Sequence, residues 1–248
     1  MRIISKLHSL VLAITLFSSI PVLGNDLELG IHQLNRGEFK QAIAQFKPLV
    51  AEGYSPAQYQ MALVHKHGYG VAKDGLKALA LFQLAAAQNY PDAQFELALI
   101  YAEGKLVKQD LKQAFEFTRK AAKKELASAQ FNLAVMYGNG DGVKQDDFSA
   151  SRWYRMAADQ NYALAQYNLA LLFSEGKGVE KSAEMSYVWN TISSWNGYPD
   201  ADKSRLIDER VLSPMEKERG IKKANQLYNK IKQQQELKAK MAAEKNFY

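Results

Sequence analysis

From Ala57 onward, apolar positions recur at helical spacing, and the whole pattern returns 36 residues later. In AQYQMALVHKHG (57–68), the positions Ala57, Gln58, Met61, Ala62, His65 and Gly68 come back in later copies. At 100° per residue they share one side of a helix, the mark of a buried face. Ala-Gln stands at Ala57-Gln58, Ala93-Gln94, Ala129-Gln130 and Ala165-Gln166. The same step links Gly68, Gly104, Gly140 and Gly176, then Val71, Val107, Val143 and Val179, then Asp74, Asp110 and Asp146. Alanine pairs follow at Ala85-Ala86, Ala121-Ala122 and Ala157-Ala158. Stepping back by 36 places a degenerate unit near 26–54, with Phe39, Ala42 and Phe46 on its second helix.

Each unit predicts two helices. The glycine after the first helix supplies a stop where a left-handed backbone is cheap. A short loop (GYGVAKD in the first full unit) buries its valine, and Asp74 or Asp110 caps the next helix. The second helix, LKALALFQLAAA (76–87), presents Ala78, Phe82 and Ala85, and the alanines there allow close helix approach. One hairpin cannot bury its apolar face alone, so neighbouring hairpins stack into a curved solenoid.

The pattern AQxxLAxxYxxGxGVxxDxxxAxxWYxxAAxxxxxxAQ, best seen from Ala129 to Gln166, resembles the Sel-one-like repeat (SLR), an α/α relative of the tetratricopeptide repeat. The resemblance covers about 26–198, with units near 26–54, 55–90, 91–126, 127–162 and 163–198. It implies an all-α, right-handed α/α superhelical solenoid of four to five 36-residue TPR-like repeats. The segment 186–230 is similar to the ending of many such proteins, which places capping helices at 199–230 and a basic polar helical tail at 231–248. Ser213-Pro214 reads as N-cap and first helical residue of the second cap. The chain departs from the family pattern in three places. Alanine stands where Leu-Gly is usual (Ala62, Ala98, Ala134, Ala170), Leu106 replaces a loop glycine, and Ser193-Ser194 replaces the last alanine pair.

The first 24 residues read as an address. Arg2 and Lys6 precede an apolar run from Leu10 to Ile20, then Pro21-Val22-Leu23-Gly24, the layout of a secretory signal cleaved between Gly24 and Asn25. The run is too short to span a bilayer. The expected location is the periplasm or beyond in a Gram-negative bacterium, with no stable membrane span after cleavage.

Composition narrows the chemistry. The 248 residues are 47% hydrophobic and 23% charged, a globular balance, and the absence of cysteine excludes disulfides, thiolate metal sites and cysteine nucleophiles. HEXXH, GXSXG and P-loop patterns are absent. Ser174-Glu175-Gly176-Lys177 matches the S-x-x-K spacing of penicillin-recognising enzymes, but it straddles a helix end and lacks SDN and KTG partners. Asn139-Gly140-Asp141-Gly142 with Asp146-Asp147 has only a faint calcium-loop look. His65 shares its column with Tyr101, Tyr137 and Phe173 and reads as a core position, while His67 faces away from that column. The sequence calls for no cofactor and no metal.

Recognition then falls to the face of the first helices opposite the core, which lines the concave groove by analogy with tetratricopeptide folds. The aromatic column Tyr59, Phe95, Phe131 and Tyr167 repeats faithfully and suits packing as well as binding. The column Gln60, Glu96, Asn132 and Asn168 varies and, with Glu103 and Glu175, is the expected partner-binding surface. Such a groove takes a protein or peptide partner. The expectation is a monomeric, exported, non-catalytic scaffold. The alternatives are an envelope enzyme acting on cell-wall or β-lactam-like substrates, and a binder of membrane surfaces or anionic polymers through the C-terminus.

The net charge of +6 first suggests a nucleic-acid binder. Residues 25–200 carry 18 basic and 19 acidic side chains, however, whereas 201–248 carry 12 basic and 7 acidic. The repeats are nearly neutral, so a nucleic-acid groove is not expected. The excess sits in the caps and in a tail expected to protrude or fray.

Overall fold

The computed structural model describes residues 20–245, so the expected signal segment lies outside the described residues up to position 19. Among the described residues there are twelve helices and no strand. They are α1 (Ile20–Asn35), α2 (Phe39–Ala51), α3 (Ser55–His67), α4 (Gly75–Ala87), α5 (Pro91–Glu103), α6 (Leu111–Lys123), α7 (Ala127–Asn139), α8 (Asp147–Asp159), α9 (Ala163–Glu175), α10 (Ala183–Trp195), α11 (Pro199–Val211) and α12 (Pro214–Lys245). Helices pair as hairpins, α1 with α2, α3 with α4 and so on to α9 with α10, the all-α helical-repeat arrangement that the 36-residue step predicts. Odd-numbered helices from α1 to α11 are called A helices here, and α2 to α10 B helices. Gly24 and Asn25 fall within α1. No described helix is long and apolar enough to cross a membrane.

Helix boundaries follow local chemistry at the same step. Asp74, Asp110, Asp146 and Ser182 each accept a hydrogen bond from the backbone N–H three residues on, capping α4, α6, α8 and α10. Residues 53, 89, 125, 161 and 197 turn the chain after each B helix with positive φ, although only Gly53 and Gly197 are glycine. In the A-to-B loops, Gly142 and Gly178 also have positive φ. A Cβ on either would lie 2.0 Å from a carbonyl oxygen, that of Leu111 and of Asp147 respectively, so only glycine fits. Leu106 holds the equivalent place without a positive φ, and its loop turns differently, as the substitution implies.

The chain divides after Tyr90 into two compact units. In the first, Ala42, Ile43, Phe46, Met61 and Val64 form a core that Leu27, Ile31, Leu34, Val50, Val71 and Leu81 close. The degenerate unit therefore has a true core, with Ala42 and Phe46 fully buried. Gly30 lets α1 approach the Phe46 ring, one atom of which lies 2.5 Å from where a Cβ would stand. Gln88 Nε2 donates to Gly53 O (2.8 Å) and to Gln58 Oε1 (2.9 Å), so the buried glutamine of the repeat is satisfied by an amide at the B-helix end.

The second unit repeats this device. Gln160 Nε2 donates to Gln130 Oε1 (2.7 Å) and Glu125 O (2.9 Å), and Asn196 Nδ2 to Gln166 Oε1 (2.9 Å). Gln130 and Gln166 in turn donate to the carbonyls of Ala122 and Ala158 in the preceding B helices. The serines that replace the last alanine pair make tertiary contacts. Ser193 Oγ donates to Ala163 O (2.8 Å) and Ser194 Oγ to Asp202 (2.7 Å).

Helix α11 continues the A-helix columns, with Ala201 buried in the alanine column of Ala129 and Ala165. Between α10 and α11 the repeat gives way at three columns together. Ser186 stands where Ala114 and Ala150 stood, Asn190 where Thr118 and Tyr154 stood, and Asp208 where Met136 and Leu172 stood. All three are buried, and Asp208 accepts from Ser186 Oγ (2.9 and 3.1 Å) and Asn190 Nδ2 (2.8 Å).

Helix α12 opens with a capping box: Ser213 N donates to Glu216 (2.8 Å) and Ser213 Oγ accepts from Glu216 N (3.3 Å). It runs unbroken to Lys245, with no discontinuity at residue 230. Ala224 and Ile231 enter the core of α8–α10, with Leu227 and Tyr228 packed beside them. Further on, Gln235 Nε2 donates to Gln160 O (3.2 Å) and Lys238 pairs with Glu125 (2.9 Å). The tail, expected to protrude or fray, is helical and mostly exposed beyond Ile231. Polar contacts dock it as far as Lys238, along the C-terminal ends of α8 and α6, where the helix dipoles favour cations.

Candidate partner-binding surface

The face proposed for recognition consists of A-helix positions left after hairpin packing. In the first unit it comprises Tyr59 and Gln60, both half-buried. Tyr59 packs on Phe82 and Tyr90, with ring centroids 5.9 and 5.3 Å apart. In the second unit, Phe131 lies 5.6 Å from Tyr154 and 5.3 Å from Tyr162, Tyr167 lies 4.9 Å from Tyr198, and Phe95 packs at the edge of the core containing Leu133. The aromatic column is therefore engaged in packing within its own repeats. Its ring partners Tyr90, Tyr162 and Tyr198 belong to a further 36-residue column, completed by Leu126, that is also visible in the sequence.

The varying column remains half-exposed at Glu96, Asn132 and Asn168. Asn132 Nδ2 donates to Ser128 O and Asn168 Nδ2 to Leu164 O, each at 2.8 Å. Each amide is thereby held against its own helix in one orientation. Burial pushes the nearby Asp92 carboxyl above its ordinary value, and the Glu96 charge adds to the shift. Glu103 and Glu175 are exposed at the helix ends, and each pairs with the lysine two residues on, Lys105 at 3.4 Å and Lys177 at 2.8 Å.

The other candidates resolve into structural roles. Ser174 Oγ donates to Leu171 O (2.8 Å), and Glu175 holds the Lys177 ammonium and raises its pKa, the opposite of what a general base requires. A serine–lysine dyad is not assembled there. Asn139 Nδ2 donates to Asp141 (3.1 Å), and Asp146 is occupied capping α8 through Ser149. Among the described residues, no three metal-ligating side chains come together. His65 is half-buried with its Nδ1 enclosed, while the aromatics in its column pack on B-helix rings, Tyr101 on Phe117 and Tyr137 on Phe115. His67 is exposed and stacks on Tyr69 at 5.2 Å.

The Sel1 repeat family model matches residues 55–90, 91–126, 127–162 and 163–189. No curated protein matches the chain. Among solved structures, the chain is similar to a Sel1 repeat protein from Oxalobacter formigenes, with 26% identity over 71% of this chain and 72% of that one and a TM-score of 0.67. It is also similar to c5321, described as a protective antigen of uropathogenic Escherichia coli displaying an SLR fold, with 26% identity over 84% of this chain and a TM-score of 0.53. That match spans 53% of the longer antigen. The immunity protein Pa5087 of Pseudomonas aeruginosa shares the fold alone, at 20% identity over 85% of this chain and 82% of that one with a TM-score of 0.51.

Proposed function

The chain belongs to the Sel1 repeat family, and from that premise we propose that it is an exported, non-catalytic scaffold that takes a protein or peptide partner on its A-helix faces. Sel1 repeats generally mediate protein–protein interaction, which supports the scaffold role. One observation carries the choice of surface. The half-exposed polar column runs from Gln60 to Glu96 to Asn132 and Asn168, changing charge and length along the repeats, while the aromatic column beside it keeps Tyr or Phe throughout. With each asparagine amide held by its own helix, little side-chain freedom is lost when a partner's polar groups bind there. Export rests on Arg2, Lys6 and the apolar run that follows them.

Co-purification from envelope extracts followed by mass spectrometry tests the reading, comparing wild type with a Glu96→Ala, Asn132→Ala, Asn168→Ala variant. A partner retained by wild type and lost by a variant of unchanged thermal stability is the expected result. Equal recovery by both proteins would reject the surface. Fractionation with N-terminal sequencing tests export separately, and an unprocessed cytoplasmic chain would reject it.

A further inference from the structure

Helix α11 packs on the B helix before it, α10, but among the described residues no B helix follows to cover its other side. In α7 and α9, Ala134 and Ala170 are buried in a core to which α8 and α10 contribute. The same column in α11 holds Leu206, which is 49% exposed. Ile207 is 61% exposed, Val211 71% and Met215 75%, all within three turns of chain around the α11–α12 junction. Among the described residues, no segment of the chain closes this face. Helix α12 lies on α10, where Arg219 pairs with Glu184 and Gly220 sits against the Tyr187 ring.

The four side chains leave roughly 500 Å² of surface in water, the size at which patches on soluble proteins are often functional. Two such patches face to face would bury roughly 1,000 Å², about the area a specific interface needs. The patch also carries charges of both signs. Arg210, beside Val211, and Glu218, one turn beyond Met215, are both exposed, and neither has an ion-pair partner among the described residues. A two-fold axis brings residue i against j and j against i, so each Arg210 can meet the other copy's Glu218.

We propose that the Leu206–Ile207–Val211–Met215 patch is a self-association surface through which two copies of the chain join, cap against cap, across a two-fold axis. The second copy supplies the apolar cover that the preceding A helices receive from their own B helices. This surface is separate from the A-helix polar column, so dimerisation and partner capture can be lost independently.

Sedimentation velocity on the full chain across micromolar concentrations tests the proposal. Wild type should dimerise, and the double variant Ile207→Asp, Val211→Asp should weaken the dimer at least tenfold with an unchanged far-ultraviolet spectrum and melting temperature. Leu237→Asp, at an exposed apolar position on α12, should dimerise like wild type. The chain has no cysteine, so Val211→Cys introduces a single thiol that a short bis-maleimide should link between copies faster than it links Leu237→Cys. A wild type that stays monomeric, a double variant that dimerises normally, or equal cross-linking at both sites would overturn the proposal.

Discussion

Asp208 makes the energetic consequence of the three-column change measurable. Burial pushes its carboxyl above the ordinary value of 3.8, and the hydrogen bonds from Asn190 and Ser186 offset that only in part. Arg205 of the same helix is engaged with Glu209, and Arg219 of α12 with Glu184 of α10. Because the folded pKa lies above the unfolded one, the folded chain binds the proton more tightly. Its stabilising contribution is fully present below the unfolded value and is lost as pH rises through the folded value, by up to about 1.4 kcal/mol per unit of separation. Asp208→Asn should remove that dependence. It preserves shape and can still accept from Ser186, and a flip of the Asn190 amide turns its buried, partnerless Oδ1 towards the new amide donor. Asp208→Ala should behave differently, since it strands two buried donors at about 1–3 kcal/mol each, or about 2–6 kcal/mol together. Urea unfolding followed by tryptophan fluorescence is the assay, because Trp153, Trp189 and Trp195 all lie in α8 and α10. As pH falls through the folded value of Asp208 towards the ordinary 3.8, wild type should gain stability relative to Asp208→Asn. Parallel pH profiles, or an Asp208→Ala loss below about 0.5 kcal/mol, would refute the account.

Two further outcomes follow from the backbone. Gly30→Ala should destabilise the first unit by about 1–3 kcal/mol, since its Cβ would meet the Phe46 ring, and a thermal melt by circular dichroism will register the change. Glu125→Gly should stabilise the second unit by about 1 kcal/mol in urea titration. It relieves a left-handed conformation at φ 62° that costs a non-glycine residue about 1–2 kcal/mol, against the small contribution of the exposed Lys238 pair.

The parts of this fold legible in sequence are those set by local rules or repetition. Asp74, Asp110 and the loop glycines act within a turn of their own positions. The Ala-Gln columns are visible because stacking imposes the same burial on each copy. The Gln58–Gln88 and Gln130–Gln160 bonds were less accessible, since a glutamine in a buried column does not reveal that its partner lies 30 residues away at another helix end.

The binding surface was harder to read because periodicity reports what packs, whereas a partner is recognised by what varies. A faithful aromatic column looks like a row of ligand contacts until Tyr162 and Tyr198 are seen packed against it. Ser186, Asn190 and Asp208 pose the reverse problem. Each is an ordinary polar residue in the sequence, and only the meeting of α10 with α11 makes them a buried carboxylate with its donors. The tail illustrates the same limit through charge. Counting lysines identified the C-terminus as the basic part of the chain, but composition alone could not place Lys238 beside Glu125 or Gln235 beside the last carbonyls of α8. In a repeat protein, the positions that break the repeat therefore carry most of what is particular to the molecule. Here those breaks cluster at the C-terminal cap, where a buried acid, an uncovered apolar face and a docked cationic helix all lie within the last 63 residues, 186–248.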